Sequence, residues 1–185
     1  MPPGFTGFPN LTKLTLFHVG FPDGPRELEA LISVSPLLEK LSLLFLEVPC
    51  SNDEYLQWAI QAPKLQYLLI DELRDYVWQT NDLPSLEEAQ IHAAMYSTHR
   101  DFIKLMTGLE RTKMLNITIP GWSDGSQVVN ADDKFLNAQW VDGMFAKLHT
   151  VRMKNILCFS NEMHFVEFIL SKARVLQVLS VCPMQ

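Results

Sequence analysis

The stretch Pro9-Asn10-Leu11-Thr12-Lys13-Leu14-Thr15-Leu16 carries the pattern on which the fold turns. A proline is followed by leucine two residues on, then by apolar residues at five and seven. The pattern returns as Pro36 with Leu38, Leu41 and Leu43, as Pro63 with Leu65, Leu68 and Ile70, and as Pro84 with Leu86, Ala89 and Ile91. Three looser copies follow. Thr107 leads Leu109, Thr112 and Met114; Ala146 leads Leu148, Val151 and Met153; Arg174 leads Leu176, Leu179 and Val181. In this register the first apolar position is leucine in all seven copies, although leucine is only 27 of 185 residues, so composition alone does not produce it.

The copies start 27, 27, 21, 23, 39 and 28 residues apart, mostly in or near the spacing of about 20–29 that leucine-rich repeats show. The alternating end of each phrase reads as a short strand whose apolar residues share one face. A single such strand cannot bury that face, so neighbouring copies must stack to share a core. Between the phrases lie helix signals. Asp23-Gly24-Pro25 opens Arg26 to Ser33, with Leu28, Leu31 and Ile32 at helical spacing. Ser51-Asn52-Asp53-Glu54 reads as a capping box before a helix over Tyr55 to Gln61. Thr98 to Asp101 precedes Phe102 to Met106, and Ser160-Asn161-Glu162 precedes Met163 to Lys172, with Phe165, Phe168 and Ile169 on one face. The third copy, 63–83, is too short for a proper helix, and the polar stretch Gly121 to Asn137 reads as a long loop.

The expected fold is therefore α/β, a single leucine-rich-repeat solenoid over 1–185 of the ribonuclease-inhibitor-like kind. Parallel strands would line its concave face, with helices or loops on the convex face.

Composition narrows the function. The net charge is −6 and Lys and Arg are scattered, which disfavours a grip on phosphate backbones. No nucleic-acid partner is expected. Cys50, Cys158 and Cys182 are odd in number and far apart, so neither a disulfide framework nor a zinc site is expected and a reducing compartment fits. The start, Met1-Pro2-Pro3-Gly4-Phe5, lacks signal-peptide features. No apolar run nears the roughly 20 residues that span a bilayer. Cytoplasmic or nuclear localisation without membrane contact is the expectation, and the sequons at Asn10 and Asn116 read as chance.

No catalytic residue and no cofactor is expected. His18, His92, His99, His149 and His164 have no metal-ligand spacing, and GxSxG, Walker and GxGxxG motifs are absent. Glu87-Glu88 and Asp132-Asp133 read as solvated carboxylates, and Cys182 as a buried or inert thiol. Trp58 and Trp78 read as core or partly covered surface, whereas Trp122 and Trp140 flank the loop.

The candidate site is the set of residues between the buried ones, which would project from the concave face. It comprises Lys13, Thr15 and Phe17; Lys40, Ser42 and Leu44; Tyr67, Leu69 and Asp71; Glu88, Gln90 and His92; Arg111 and Lys113; and Thr150, Arg152 and Lys154. Apolar side chains among polar ones suit a protein interface.

These phrases resemble a plant family, the F-box proteins with leucine-rich repeats and a C-terminal FBD-type segment. Gly7-Phe8-Pro9-Asn10-Leu11-Thr12-Lys13-Leu14 and Ser35-Pro36-Leu37-Leu38-Glu39-Lys40-Leu41 carry the likeness of the repeats. Leu148 to Met153, Glu162 to Leu170 and Ala173 to Leu179 carry that of the FBD segment, placed at about 140–185. The resemblance implies a non-catalytic module that recruits a protein substrate to a cullin-type ubiquitin ligase. Adaptor binding would require an F-box upstream. No F-box pattern precedes residue 8, so a fragment, a truncated product or a binder without ligase activity is expected, with the first strand's core left exposed. An alternative is a repeat fragment of an intracellular receptor for an effector or small ligand, which predicts a nucleotide-binding domain upstream or a closed pocket.

Overall fold

The computed structural model describes residues 7–48, 58–72, 78–80, 83–93, 102–118, 143–158 and 160–184. Its centre is a seven-stranded, wholly parallel sheet. In chain order the elements are β1 (Lys13–Phe17), α1 (Pro25–Ser33), β2 (Lys40–Leu44), β3 (Trp58–Ile60), β4 (Tyr67–Glu72), β5 (Trp78–Thr80), β6 (Glu88–Ala93), α2 (Phe102–Gly108), β7 (Met114–Thr118), β8 (Thr150–Ile156), α3 (Ser160–Lys172) and β9 (Val178–Pro183). The large sheet runs β1-β2-β4-β6-β7-β8-β9, so every repeat adds one strand beside the last.

One turn launches each strand. A backbone N–H donates to a carbonyl three residues back in Phe8–Leu11, Ser35–Leu38, Ala62–Leu65, Leu83–Leu86, Leu109–Thr112, Phe145–Leu148 and Ala173–Leu176, at 3.0–3.2 Å. Pro9, Pro36, Pro63 and Pro84 occupy the second position of that turn, where proline's fixed φ fits. Two residues before each β1, β2, β4, β6, β7 and β8 inward row, a single carbonyl then accepts two N–H groups from the next repeat. Thr12 accepts Glu39 and Lys40, Glu39 accepts Gln66 and Tyr67, Gln66 accepts Glu87 and Glu88, Glu87 accepts Lys113 and Met114, Lys113 accepts His149 and Thr150, and His149 accepts Gln177 and Val178, all within 3.1 Å. This seam fixes the register from the first strand to the last.

The seam also corrects the expected register of the fifth copy. Thr112, not Leu109, occupies the place of Leu11, Leu38, Leu65 and Leu86; Leu115 and Ile117, not Thr112 and Met114, point inward. The copy therefore starts at Glu110 rather than Thr107, and leucine is not universal at the first apolar position. Thr112 is fully buried because its hydroxyl donates to the Leu109 carbonyl at 2.8 Å, which satisfies the polar atom that leucine lacks. Leu109 is itself buried as the first residue of the turn, and it mimics the expected leucine three residues early.

Inward side chains form two rows. Leu14, Leu41, Leu68, Ala89, Leu115, Val151 and Leu179 make one, and Leu16, Leu43, Ile70, Ile91, Ile117, Met153 and Val181 make the other. The central members are fully buried, whereas Leu14 and Leu16 at one edge and Leu179 and Val181 at the other are only partly covered. This gradient is what stacking predicts, since a terminal strand has one neighbour instead of two.

The layer behind the sheet is mixed. Helix α1 enters after Gly24 (φ 88°) with proline in its first turn and buries Pro25, Leu28 and Ile32, while Leu31 is half-buried. Helix α2 buries Leu105 and Met106, and α3 buries Phe165, Val166, Phe168 and Ile169. The helix expected over Tyr55 to Gln61 is corrected: Trp58–Ile60 is strand β3, paired in parallel with β5. Tertiary pairing overrides a short helix signal there, and the Ala59 N–H is anchored by the Glu29 carboxylate at 2.7 Å. Strand β5 fills the back of the short third copy, with Trp78 fully buried. Gly108 closes α2 against Thr80, where a Cβ would strike the Thr80 side chain and carbonyl. The expected caps at 51–54 and 98–101, the loop Gly121 to Asn137, Trp122, Trp140, His99 and Cys50 lie outside the described residues.

Candidate functional site: the outer face of the sheet

Period-two alternation that buries two rows leaves three rows on the opposite face. The first is Lys13, Lys40, Tyr67, Glu88, Met114, Thr150 and Val178; the second is Thr15, Ser42, Leu69, Gln90, Asn116, Arg152 and Ser180; the third is Phe17, Leu44, Asp71, His92, Thr118, Lys154 and Cys182. Of the sequence-derived candidates, Lys13, Thr15, Phe17, Lys40, Ser42, Leu44, Tyr67, Leu69, Asp71, Glu88, Gln90, His92, Thr150, Arg152 and Lys154 all fall in these rows. Ser42 is buried between its neighbours, and the others are half-buried or exposed.

Arg111 and Lys113 do not belong to the strand. Arg111 sits in the turn, in the place of Asn10, and Lys113 in the seam, in the place of Thr12. The fifth strand instead presents Met114, Asn116 and Thr118. Both basic residues are exposed beside acids: Lys113 Nζ lies 2.7 Å from Glu87 and Arg111 Nε 3.5 Å from Glu110. Such exposed pairs contribute little to stability.

The chemistry changes from strand to strand. On β1 and β2 the face is aromatic. Phe17 is 60% exposed and meets Phe45 edge-on at 6.1 Å and His18 at 4.5 Å, while His18 stacks on Phe45 at 5.4 Å. His18 and Phe45 occupy equivalent places just beyond their strands, both with φ 50°. Their N–H groups donate to the Leu44 and Asp71 carbonyls of the next repeat. That cross-repeat bond holds both residues in the left-handed region, which non-glycine residues seldom adopt.

Strands β4 and β6 surround the apolar Leu69 with polar groups, several of them paired with one another. His92 Nδ1 is 3.7 Å from an Asp71 oxygen, and the Gln90 amide donates to Glu88 at 2.7 Å. Burial, reinforced by the Glu88 charge, pushes the Tyr67 phenol above its ordinary pKa. On β8, Arg152 and Lys154 are exposed and make no ion pair among the described residues. Asn116 and Thr118 lie on one side of them, Ser180 and Cys182 on the other. Beyond Lys154 the β8–β9 register slips at Asn155, which has φ 58°.

Three features escaped the sequence reading. Phe45 completes the aromatic corner, although nothing in a local pattern marks a residue just past a strand. Glu72 was visible in principle, because alternation from Leu68 and Ile70 puts it inward. Its carboxylate is buried and accepts the Leu46 N–H on both oxygens at 3.1 Å. Desolvation raises its pKa to about 7, against the lowering effect of that hydrogen bond. Cys182 is exposed rather than buried, because no strand follows β9 on its far side in the described sheet.

Among the described residues no three His, Cys, Asp or Glu side chains converge as a metal site would require, and no helix is long and apolar enough to cross a membrane. His149 and His164 are half-buried and apart from the outer aromatic corner. Comparison with known proteins adds one match: the family model for "FBD-associated F-box protein At5g56370, LRR repeats" covers residues 1–117. No curated protein and no solved structure matches. The matched span holds more than half of the chain and takes in β1 to β6 and α2, together with most of β7, so the chain belongs to the leucine-rich-repeat family of FBD-associated F-box proteins.

Proposed function

We propose that this chain is a protein-binding module whose outer sheet face is the concave surface of a solenoid. In this reading it recognises substrates for a cullin-type ubiquitin ligase. The chemistry would belong to the ligase, with this chain contributing selective affinity and an F-box on the same gene product docking the adaptor. Residues at about 140–185 would form the FBD-like end of the same solenoid. The observation that carries the reading is the register of six strand pairs, continuous through three rows of side chains up to Lys154, which includes the large apolar groups Phe17, Leu44 and Leu69. A surface of apolar anchors with a polar surround is how protein interfaces concentrate affinity. The repeat family supports the same reading.

The test is proximity labelling in cells with three forms of the chain: wild type, Leu44→Arg/Leu69→Arg on the outer face, and Glu167→Arg on the exposed side of α3. The expected result is one set of neighbours shared by wild type and the α3 variant and lost in the outer-face variant. Neighbours that survive the outer-face change would refute the site. Co-purification of the ligase adaptor with the full gene product tests the ubiquitin link, and failure to co-purify would remove it.

A further inference from the structure

The outer face is not uniform along the sheet, and its order of chemistry defines an occupant. Aromatic and apolar groups gather at β1 and β2: Phe17, Phe45 and Leu44. Exposed positive charge without an ion pair among the described residues lies in the first row on Lys13 and Lys40, two rows from the aromatic corner, and at the far end of the face on Arg152 and Lys154 of β8. Between the two ends the middle row, Thr15, Ser42, Leu69, Gln90 and Asn116, carries no charge. Two acids flank this track, Asp71 with an oxygen 3.7 Å from His92 and Glu88 accepting from the Gln90 amide.

We infer that this face takes an extended protein segment lying across the strands, with an apolar side chain in the Phe17–Phe45 corner and acidic side chains on Arg152 and Lys154. The inference rests on the protein-binding reading above and specifies the partner's chemistry. Five inter-strand steps separate β1 from β8, which at about 4.8 Å each is roughly 24 Å. An extended chain rises about 3.3 Å per residue, so about seven residues separate the apolar anchor from the acids. Charge complementarity selects acids at that end, because a basic side chain beside Arg152 and Lys154 meets two like charges with no acid among the described residues to offset them. A nucleic-acid backbone fits poorly, since it would cross Asp71, Glu87 and Glu88 on its way to the basic corner.

Selection of a random dodecapeptide phage library on the full chain tests this. Clones are then measured against Arg152→Ser/Lys154→Ser, against Lys64→Ser/Lys147→Ser, which removes equal charge from exposed turn positions off the face, and against Leu69→Arg. The expected clones carry an apolar residue six to eight positions from an acidic pair. Their affinity should fall about fivefold in the first variant, the loss of two exposed ion pairs, and less than twofold in the second. Clones without acids, or equal losses in the two serine variants, overturn the inference while leaving the protein-binding reading intact, provided Leu69→Arg abolishes binding. Clones insensitive to Leu69→Arg, or no enrichment above the bare support, overturn both.

Discussion

Replacing Leu68 with alanine should cost several times more stability than the same change at Leu179, although both occupy one inward row. Leu68 is fully buried, with Leu41 on one side and Ala89 on the other. Truncating a buried leucine typically costs about 2.7–5 kcal/mol, the larger values where the void cannot collapse. Ala89 has no side chain long enough to fill the gap, so about 4 kcal/mol is expected, toward the upper end. Leu179 is already 37% exposed on a strand with one neighbour. Its removal opens to water rather than enclosing a cavity, and about 1 kcal/mol follows from the smaller area lost. For a chain of this size 1 kcal/mol corresponds to about 2–4 °C in Tm, so drops of about 8–16 °C and 2–4 °C are expected. Thermal melts followed by circular dichroism decide the matter, with Leu69→Ala as a control that should behave like Leu179→Ala. Equal losses at Leu68 and Leu179, or a larger loss at Leu69 than at Leu68, would refute the shared-core reasoning.

Stability should also depend on pH through Glu72. Its folded pKa is raised to about 7 from an ordinary 4.5, so the group's contribution is most favourable below about 4.5 and is lost as pH rises through 7. The loss approaches about 3 kcal/mol, and urea midpoints at pH 5 and pH 8 should converge in Glu72→Gln; an unchanged difference would exonerate Glu72. Thr112→Val keeps the shape but removes the buried hydroxyl's bond to Leu109, costing about 1 kcal/mol by chemical denaturation. Gly108→Ala forces a Cβ into Thr80 and should destabilise by about 1–3 kcal/mol, while a neutral result would mean that α2 and β5 do not pack as described.

The sheet was legible because its determinants are local and repeated. A leucine two residues after proline marks the turn, and the alternation that follows fixes which face is dry, so Leu14, Leu41 and Leu68 align without knowledge of the tertiary structure. The fifth copy was misphased because two local signals conflicted there. Thr112 is polar where leucine is the rule, and Leu109, buried for a different reason, offered a plausible substitute. That three-residue error turned Arg111 and Lys113 into strand residues and hid Met114, Asn116 and Thr118. The back layer was less legible: α1, α2 and α3 have apolar faces that read as helix, but β3 owes its conformation to pairing with β5, a partner some 20 residues away. The aromatic corner was half-legible, since Phe17 lies on a strand, whereas Phe45 lies past one.

Alternation along β4 is the claim on which the core and the binding face both depend, and thiol labelling reads it residue by residue. With Cys50, Cys158 and Cys182 replaced by serine, single cysteines at Tyr67, Leu68, Leu69, Ile70 and Asp71 would be labelled under native conditions. Fast reaction is expected at 67, 69 and 71, with protection at 68 and 70 that ends only on unfolding. Uniform labelling, or protection that recurs every three to four residues, would contradict it.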